Sequence, residues 1–335
     1  MQQPFNFILK TFSDNSTHHA HGKLLLTAEY FVLDGAVALA TPVKYGQSLI
    51  VSKNTKSKNL CWQSYDAQGG CWFEAAFHPE NFNLLTYSDG AVAARLKSIF
   101  LFIKKQNPQI SFHNLNIKTQ LEFSRDWGLG TSSTLIYLLA KWAGVDAFEL
   151  QFNIFGGSGY DIACAGADSP ILYQKKSEKP VFEKCNFDPP FADNLYFIYL
   201  GKKQNSRDGI AFYEKNKNIE SAKKRDLIKD ISALTYLFLK TKKLSDFEKT
   251  IIEHENIVAS YIGLEKVKDI FFRDYWGGVK SLGAWGGDFV LATSGRPEKE
   301  TRKYFNEKGF RVFLKYKDMV LGEDQSFIIN ENLVR

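Results

Sequence analysis

Cysteine is scarce in this chain, and the four present, Cys61, Cys71, Cys164 and Cys185, form no C-x-x-C pair. Their spacing fits no zinc pattern, and 335 residues can bury a core large enough to need no disulfide staples. Cys61 and Cys71 could face each other across a hairpin; the plainer reading is four reduced thiols, as in a cytoplasmic protein. Long apolar runs are missing too. The strongest, residues 99–103, is far too short to span a bilayer. The N-terminal stretch has one lysine, Lys10, and no apolar run fit for a signal peptide. Neither export nor membrane insertion is expected. A single-signed charge stripe is also lacking. The net charge is +6, but the lysines are scattered, and acids interrupt the densest cluster, residues 215–225. That is a solvated helix surface and not a nucleic-acid face. The mild positive excess suits small anionic ligands.

What is present is aromatic: 28 Phe, 15 Tyr and 6 Trp must fill much of the core. The length suggests two domains. Strands are expected at residues 5–9, 23–26 and 48–51. A hairpin follows, turning at Gly69-Gly70 and returning over 71–77. Helical spacing runs through 89–105, where Val92, Leu96, Ile99 and Ile103 share a face. Residues 115–123 alternate like a strand, and 132–143 read as a helix capped by Thr131 or Ser132. A short helix is expected over 161–167 and a strand at 172–173. Prolines at 180, 189 and 190 mark a boundary, giving domains 1–188 and 189–335. The second half offers a strand at 195–200 and helices over 225–239 and 245–261. Strands at 288–293 and 311–314 then flank a helix over 298–308. Strands and helices mix without regular alternation, so the fold class is α+β.

Three segments carry chemistry. Asp126-Trp127-Gly128-Leu129-Gly130-Thr131-Ser132-Ser133 joins a predicted strand to a predicted helix. Its glycines let the backbone wrap a ligand, and the helix start offers free N–H groups, which together cradle an anion such as a triphosphate. It is neither a P-loop nor a dinucleotide fingerprint. A tight turn with a serine cap would read the same way. His21-Gly22-Lys23-Leu24-Leu25-Leu26-Thr27-Ala28-Glu29-Tyr30 places Lys23 at the edge of an apolar strand. A lysine there needs a carboxylate partner or a path to solvent. Gly156-Gly157-Ser158-Gly159-Tyr160-Asp161 sets Asp161 before small residues that leave room for a substrate. Asp161 is equally explained as a helix N-terminal acid. A later cluster, Lys280-Ser281-Leu282-Gly283-Ala284-Trp285-Gly286-Gly287-Asp288, suits close backbone approach or a hairpin loop.

In this order, the segments around Lys23, Gly128 and Gly283 resemble the three motifs of the GHMP kinase superfamily, whose members move the γ-phosphoryl group of ATP to small metabolites. The resemblance spans residues 22–288. It implies a two-domain fold, with an N-terminal domain like ribosomal protein S5 domain 2 and a ferredoxin-like C-terminal domain. It implies Asp161 and Lys23 as the catalytic pair, and Gly128, Leu129, Gly130, Thr131, Ser132 and Ser133 as the ATP cradle. Mg²⁺ would rest on Ser132 and on Glu149, which lies one residue off the family's position. Substrate contacts would come from Glu29, Tyr30, Ser158, Lys202, Lys203, Gly283, Ala284 and Gly286.

Within the superfamily, Ala28-Glu29-Tyr30, Ser158-Gly159-Tyr160-Asp161 and Gly286-Gly287-Asp288 look closest to phosphomevalonate kinases. The chain departs from the motifs at Ala28 and Trp285, each in place of a glycine, and lacks the second motif's proline. The expected partner is a small-molecule acceptor, with no nucleic acid and no membrane; a homodimer is compatible. Mevalonate or a sugar as acceptor, a decarboxylase of the same fold, and a non-catalytic metabolite sensor are the rival readings.

Overall fold

The computed structural model describes residues 15–177, 179–201, 213, 221–283, 285 and 287–322. The expected strand at 5–9, and Lys202, Lys203, Ala284 and Gly286, lie outside the described residues.

Two sheets carry the fold. The first has eight strands: β1 (Asn15–Leu25), β2 (Ala38–Lys53), β3 (Leu60–Tyr65), β4 (Cys71–Phe77), β5 (Leu84–Tyr87), β6 (Leu115–Leu121), β7 (Ile171–Gln174) and β8 (Val181–Lys184). Their order is β5-β4-β3-β6-β2-β7-β8, with β1 paired to β2. At 16 residues, β2 is long enough to pair β1 and also to pair β6 and β7 in turn. Helices α1 (Gly90–Gln106), α2 (Thr131–Ala143), α3 (Ala147–Ile154) and α4 (Tyr160–Ala165) belong to this half. Trp62 and Phe77 from the strands meet Phe100 of α1, and Ile136 and Leu139 of α2, in one buried core. Each such large apolar side chain contributes about 1.5–3 kcal/mol by leaving water.

The second sheet holds β9 (Leu195–Tyr199), β10 (Val279–Ser281), β11 (Phe289–Thr293) and β12 (Phe313–Lys315), in the order β10-β11-β9-β12, antiparallel throughout. Helices α5 (Ser221–Lys240), α6 (Leu244–Ile262) and α7 (Val267–Phe271) precede β10. Helix α8 (Glu298–Glu307) precedes β12, and α9 (Tyr316–Met319) follows it. This is the ferredoxin-like β-α-β-β-α-β arrangement. Both faces of its sheet are covered. Leu195, Phe197, Phe289 and Leu291 point to a core shared with Leu24, Leu39 and Leu129 of the first half. Their alternating neighbours Tyr196, Ile198, Val290 and Ala292 pack on the outer layer with Phe272 and Phe305. The halves therefore interlock through a common apolar layer.

The structure amends several expectations. The hairpin register sets Cys61 opposite Ala76 and Cys71 opposite Tyr65, so the two cysteines do not face each other. All four cysteines are free thiols. Neither Thr131 nor Ser132 caps α2; Gly130 takes the cap position at φ 95° with no side-chain bond. Helix α3 was not expected. Its signal was Asp146 with Glu149 three residues on, because Asp146 accepts from the Phe148 and Glu149 amides. Among the described residues, no helix is long and apolar enough to cross a membrane.

Candidate active site

The site begins with a defect in pairing. The β1–β2 register shifts between His21 and Lys23, a bulge at Gly22. A Cβ at Gly22 would lie 3.0 Å from the Leu129 carbonyl, so only glycine lets the loop backbone come this close. The bulge turns the Lys23 amide to the Leu129 carbonyl, 2.9 Å away. The Lys23 side chain follows, and its Nζ donates to the Gly128 carbonyl at 2.9 Å. The first and second motifs are thus joined twice, through backbone and through side chain.

The loop after β6 then enters α2. Because no side chain caps this helix, the amides of its first turn are available to an anion, and the helix dipole favours negative charge there. Thr131 is half-buried and Ser132 is exposed at this rim, whereas Ser133 is buried. The Ser133 hydroxyl donates to the Gly130 carbonyl at 2.9 Å and lies beside Asp161, whose carboxyl it helps to hold down.

Asp161 stands in the first turn of α4, half-buried, with Oδ1 accepting from the Ile162 amide. Burial pushes its carboxyl above the ordinary range, against the pull of Lys23 and of the hydrogen bonds it accepts. Burial acts to lower the Lys23 ammonium, but Tyr160, Asp288 and Asp161 around it carry it above its usual value. Lys23 is consequently a fixed cation. Burial holds the Tyr160 phenol near 12, so it faces Lys23 as a neutral hydroxyl.

The third motif closes the site. Asp288 is buried in a left-handed conformation, φ 51°. A Cβ added at Gly128 would lie 2.1 Å from its carboxylate. Asp288 therefore presses on the loop at Gly128. Gly283 is half-buried with open space where a side chain would stand. Trp285 does not narrow that space from inside the loop. Its ring is buried among Tyr30, Tyr213 and Tyr261, its indole N–H donates to the Glu265 carbonyl at 2.9 Å, and its amide donates to the Tyr30 hydroxyl at 2.9 Å.

The expected substrate contacts fare differently. Glu29 has no accessible surface, and its carboxylate bonds Lys280 at 2.7 Å. Tyr30 is buried and stacked on Tyr213, its hydroxyl taken by Trp285. Both support the motifs from beneath. Ser158 is buried, and its carbonyl accepts from the Tyr173 hydroxyl. Glu149 is an exposed first-turn residue of α3. Among the described residues, no three His, Cys, Asp or Glu side chains gather as a metal cage. Sequence reasoning missed Ser133 as a neighbour of Asp161, the role of Asp288, and the buried groups around Lys280. Only Asp288 left a signal, as the end of a glycine run.

No protein-family model matches the sequence, and no curated protein sequence matches it significantly. Solved structures do. L. major mevalonate kinase in complex with R-mevalonate aligns over 93% of this chain and 98% of its own, with 14% identity and a TM-score of 0.66. Streptococcus pneumoniae phosphomevalonate kinase in complex with phosphomevalonate and AMPPNP covers 89% and 99%, with 15% identity and a TM-score of 0.64. Lactococcus lactis galactokinase complexed with galactose covers 93% and 94%, with 11% identity and a TM-score of 0.66. At these identities the likeness is one of fold, and the fold of this chain is that of the GHMP kinases.

Proposed function

We propose that this chain is an ATP-dependent kinase of a small metabolite and that its acceptor is phosphomevalonate. The carrying observation is the convergence of Lys23, the uncapped start of α2 and Asp161 on one half-buried rim. The same reading assigns ATP binding to residues 1–188 and gives 189–335 the part of completing the substrate side.

The triphosphate fits the first-turn amides of α2 and the glycine backbone at 128–130. Lys23, anchored at the Gly128 carbonyl, supplies a fixed positive charge where negative charge builds in phosphoryl transfer. Its position is set before substrate arrives, so little reorganisation is needed. A Mg²⁺ ion would be held on the protein side by Ser132 and Glu149 and would neutralise phosphate charge.

Asp161 has a raised proton affinity, and the Ile162 amide bond to its Oδ1 helps fix its direction. Toward an alcohol such as mevalonate it acts as general base. Toward a phosphate acceptor, whose second pKa is about 6, the proton is already largely gone and Asp161 orients the pair. Asp161→Asn should therefore cut kcat by about 10²–10⁴ on an alcohol and by clearly less on a phosphate. ADP release measured with mevalonate, phosphomevalonate and galactose decides this; an Asn variant as fast as wild type on every acceptor would remove Asp161 from the chemistry. Phosphomevalonate is placed first because of Ala28-Glu29-Tyr30 and the closing Gly286-Gly287-Asp288.

A further inference from the structure

Beneath the site lies a group of charges that no step above uses. Glu29, His254 and Lys280 have no accessible surface, and Glu255 is 2% exposed. Lys280 Nζ lies 2.7 Å from Glu29 Oε1 and 3.5 Å from Glu255 Oε1. The second oxygen of Glu255 accepts from the Ser281 amide at 3.2 Å and its hydroxyl at 3.0 Å. His254 Nε2 accepts from the Ala28 amide at 2.9 Å, which fixes the imidazole as neutral with its proton on Nδ1. Glu29 Oε2, 3.6 Å from that imidazole, has no hydrogen-bond partner among the described residues.

Two features show what this cluster holds. First, Glu29 sits between Ala28 and Tyr30, both at positive φ, 65° and 63°. Non-glycine residues keep that conformation only where surrounding contacts enforce it. Second, Lys280 and Ser281 form the end of β10, from which the third motif departs toward Asp288 and the phosphate loop. The contacts join residues 251 apart in sequence. Charge counting adds a constraint. Two carboxylates, one ammonium and a neutral imidazole leave one excess negative charge away from water, which is costly unless a proton neutralises it.

We propose that Glu29, Lys280, Glu255 and His254 form a positioning clamp that locks the first-motif turn to the third motif, with Lys280 bridging the two buried carboxyl groups and one proton, on Glu255 or Glu29, neutralising the excess charge. This rests on the kinase reading for its effect on rate, but not for its existence. The groups facing Glu255 are Lys280 and Ser281 from β10 and Glu29 from the turn, while His254 faces Glu29.

The experiment has two arms on the full chain. In the first, protein labelled with ¹³C at glutamate carboxyls and ¹⁵N at histidine is titrated by NMR. One carboxyl signal, absent from E255Q or E29Q, should still be protonated at about pH 6, when free glutamates near 4.3 are ionised, and His254 should show the Nδ1–H tautomer. Complete ionisation of every glutamate by that pH, or a charged His254, would overturn the clamp. In the second arm, E29Q should lower kcat about ten- to a hundredfold with the ATP KM nearly unchanged, because misplacement by an ångström costs that much. E29D should recover part of the loss, and E255Q should abolish a pH limb near neutrality in kcat. An E29Q enzyme with wild-type kcat, or a limb that survives in E255Q, would count against it. The first arm needs no turnover, so loss of the kinase reading leaves the clamp tested.

Discussion

At the scale of single residues, the site depends on close approaches that tolerate no added atom. Gly128 is the sharpest case, since a methyl group there would overlap the Asp288 carboxylate. G128A should raise the ATP KM by at least about tenfold, and D288G in the same chain should return part of the affinity, because the two act as neighbours. Steady-state kinetics on the three variants check this; equal KM values for G128A and wild type would mean that the loop yields without consequence. Lys23 illustrates what a sequence can disclose. A lysine at a strand edge suggests a carboxylate partner or a path to solvent; the bulge at Gly22 instead anchors it on the Gly128 carbonyl, with the charges of Asp288 and Asp161 nearby. Glu29 went the other way. Its motif was legible, but its burial was not, because the partner Lys280 lies 251 positions along the chain.

At the scale of elements, periodicity served well where one face is wet. The alternation in β6 and the apolar stripe of α1 both appear close to where the pattern placed them. It served less well for β1, whose first residues are polar and histidine-rich yet pair with β2 from Asn15 onward. It also failed to flag His254 and Glu255. On α6, two polar residues read as surface, while tertiary packing buries them. Helix α2 serves both core and site, and its two ends separate the roles. Leu139 is fully buried, about two turns along from the uncapped start of the helix. Leu139→Ala should cost about 2–5 kcal/mol of stability by transfer loss and cavity formation. Its ATP KM should stay within about twofold of wild type at a temperature where the fold holds. Urea melts and kinetics together test the separation; a large KM change would show that the whole helix must be rigid for binding.

At the scale of the whole molecule, two sheets share an apolar layer, and the charged cluster spans the same junction. That junction gives stability a pH dependence. Burial raises the Glu255 carboxyl from 4.5 to about 7, with Lys280 opposing and Glu29 reinforcing the shift. The folded chain then holds this proton more tightly than the unfolded chain. Its contribution to stability is full below the unfolded value near 4.5 and is lost as pH rises through about 7. Wild type should accordingly lose stability relative to E255Q between those two pH values, read from urea melts at stepped pH. A constant difference would contradict the assignment. The order of the motifs and the α+β class were legible because local glycine and hydroxyl patterns mark loops directly. The interlocked halves were not, since they arise from long-range packing that no local pattern encodes.

The most direct test of the account is ADP release by the purified chain with Mg²⁺ and ATP, offered phosphomevalonate, mevalonate and galactose in turn, beside Asp161→Asn. Turnover on phosphomevalonate, slowed in the variant, is the predicted result. ATP binding with no turnover on any acceptor would contradict it and make the chain a nucleotide-binding relative of the kinases.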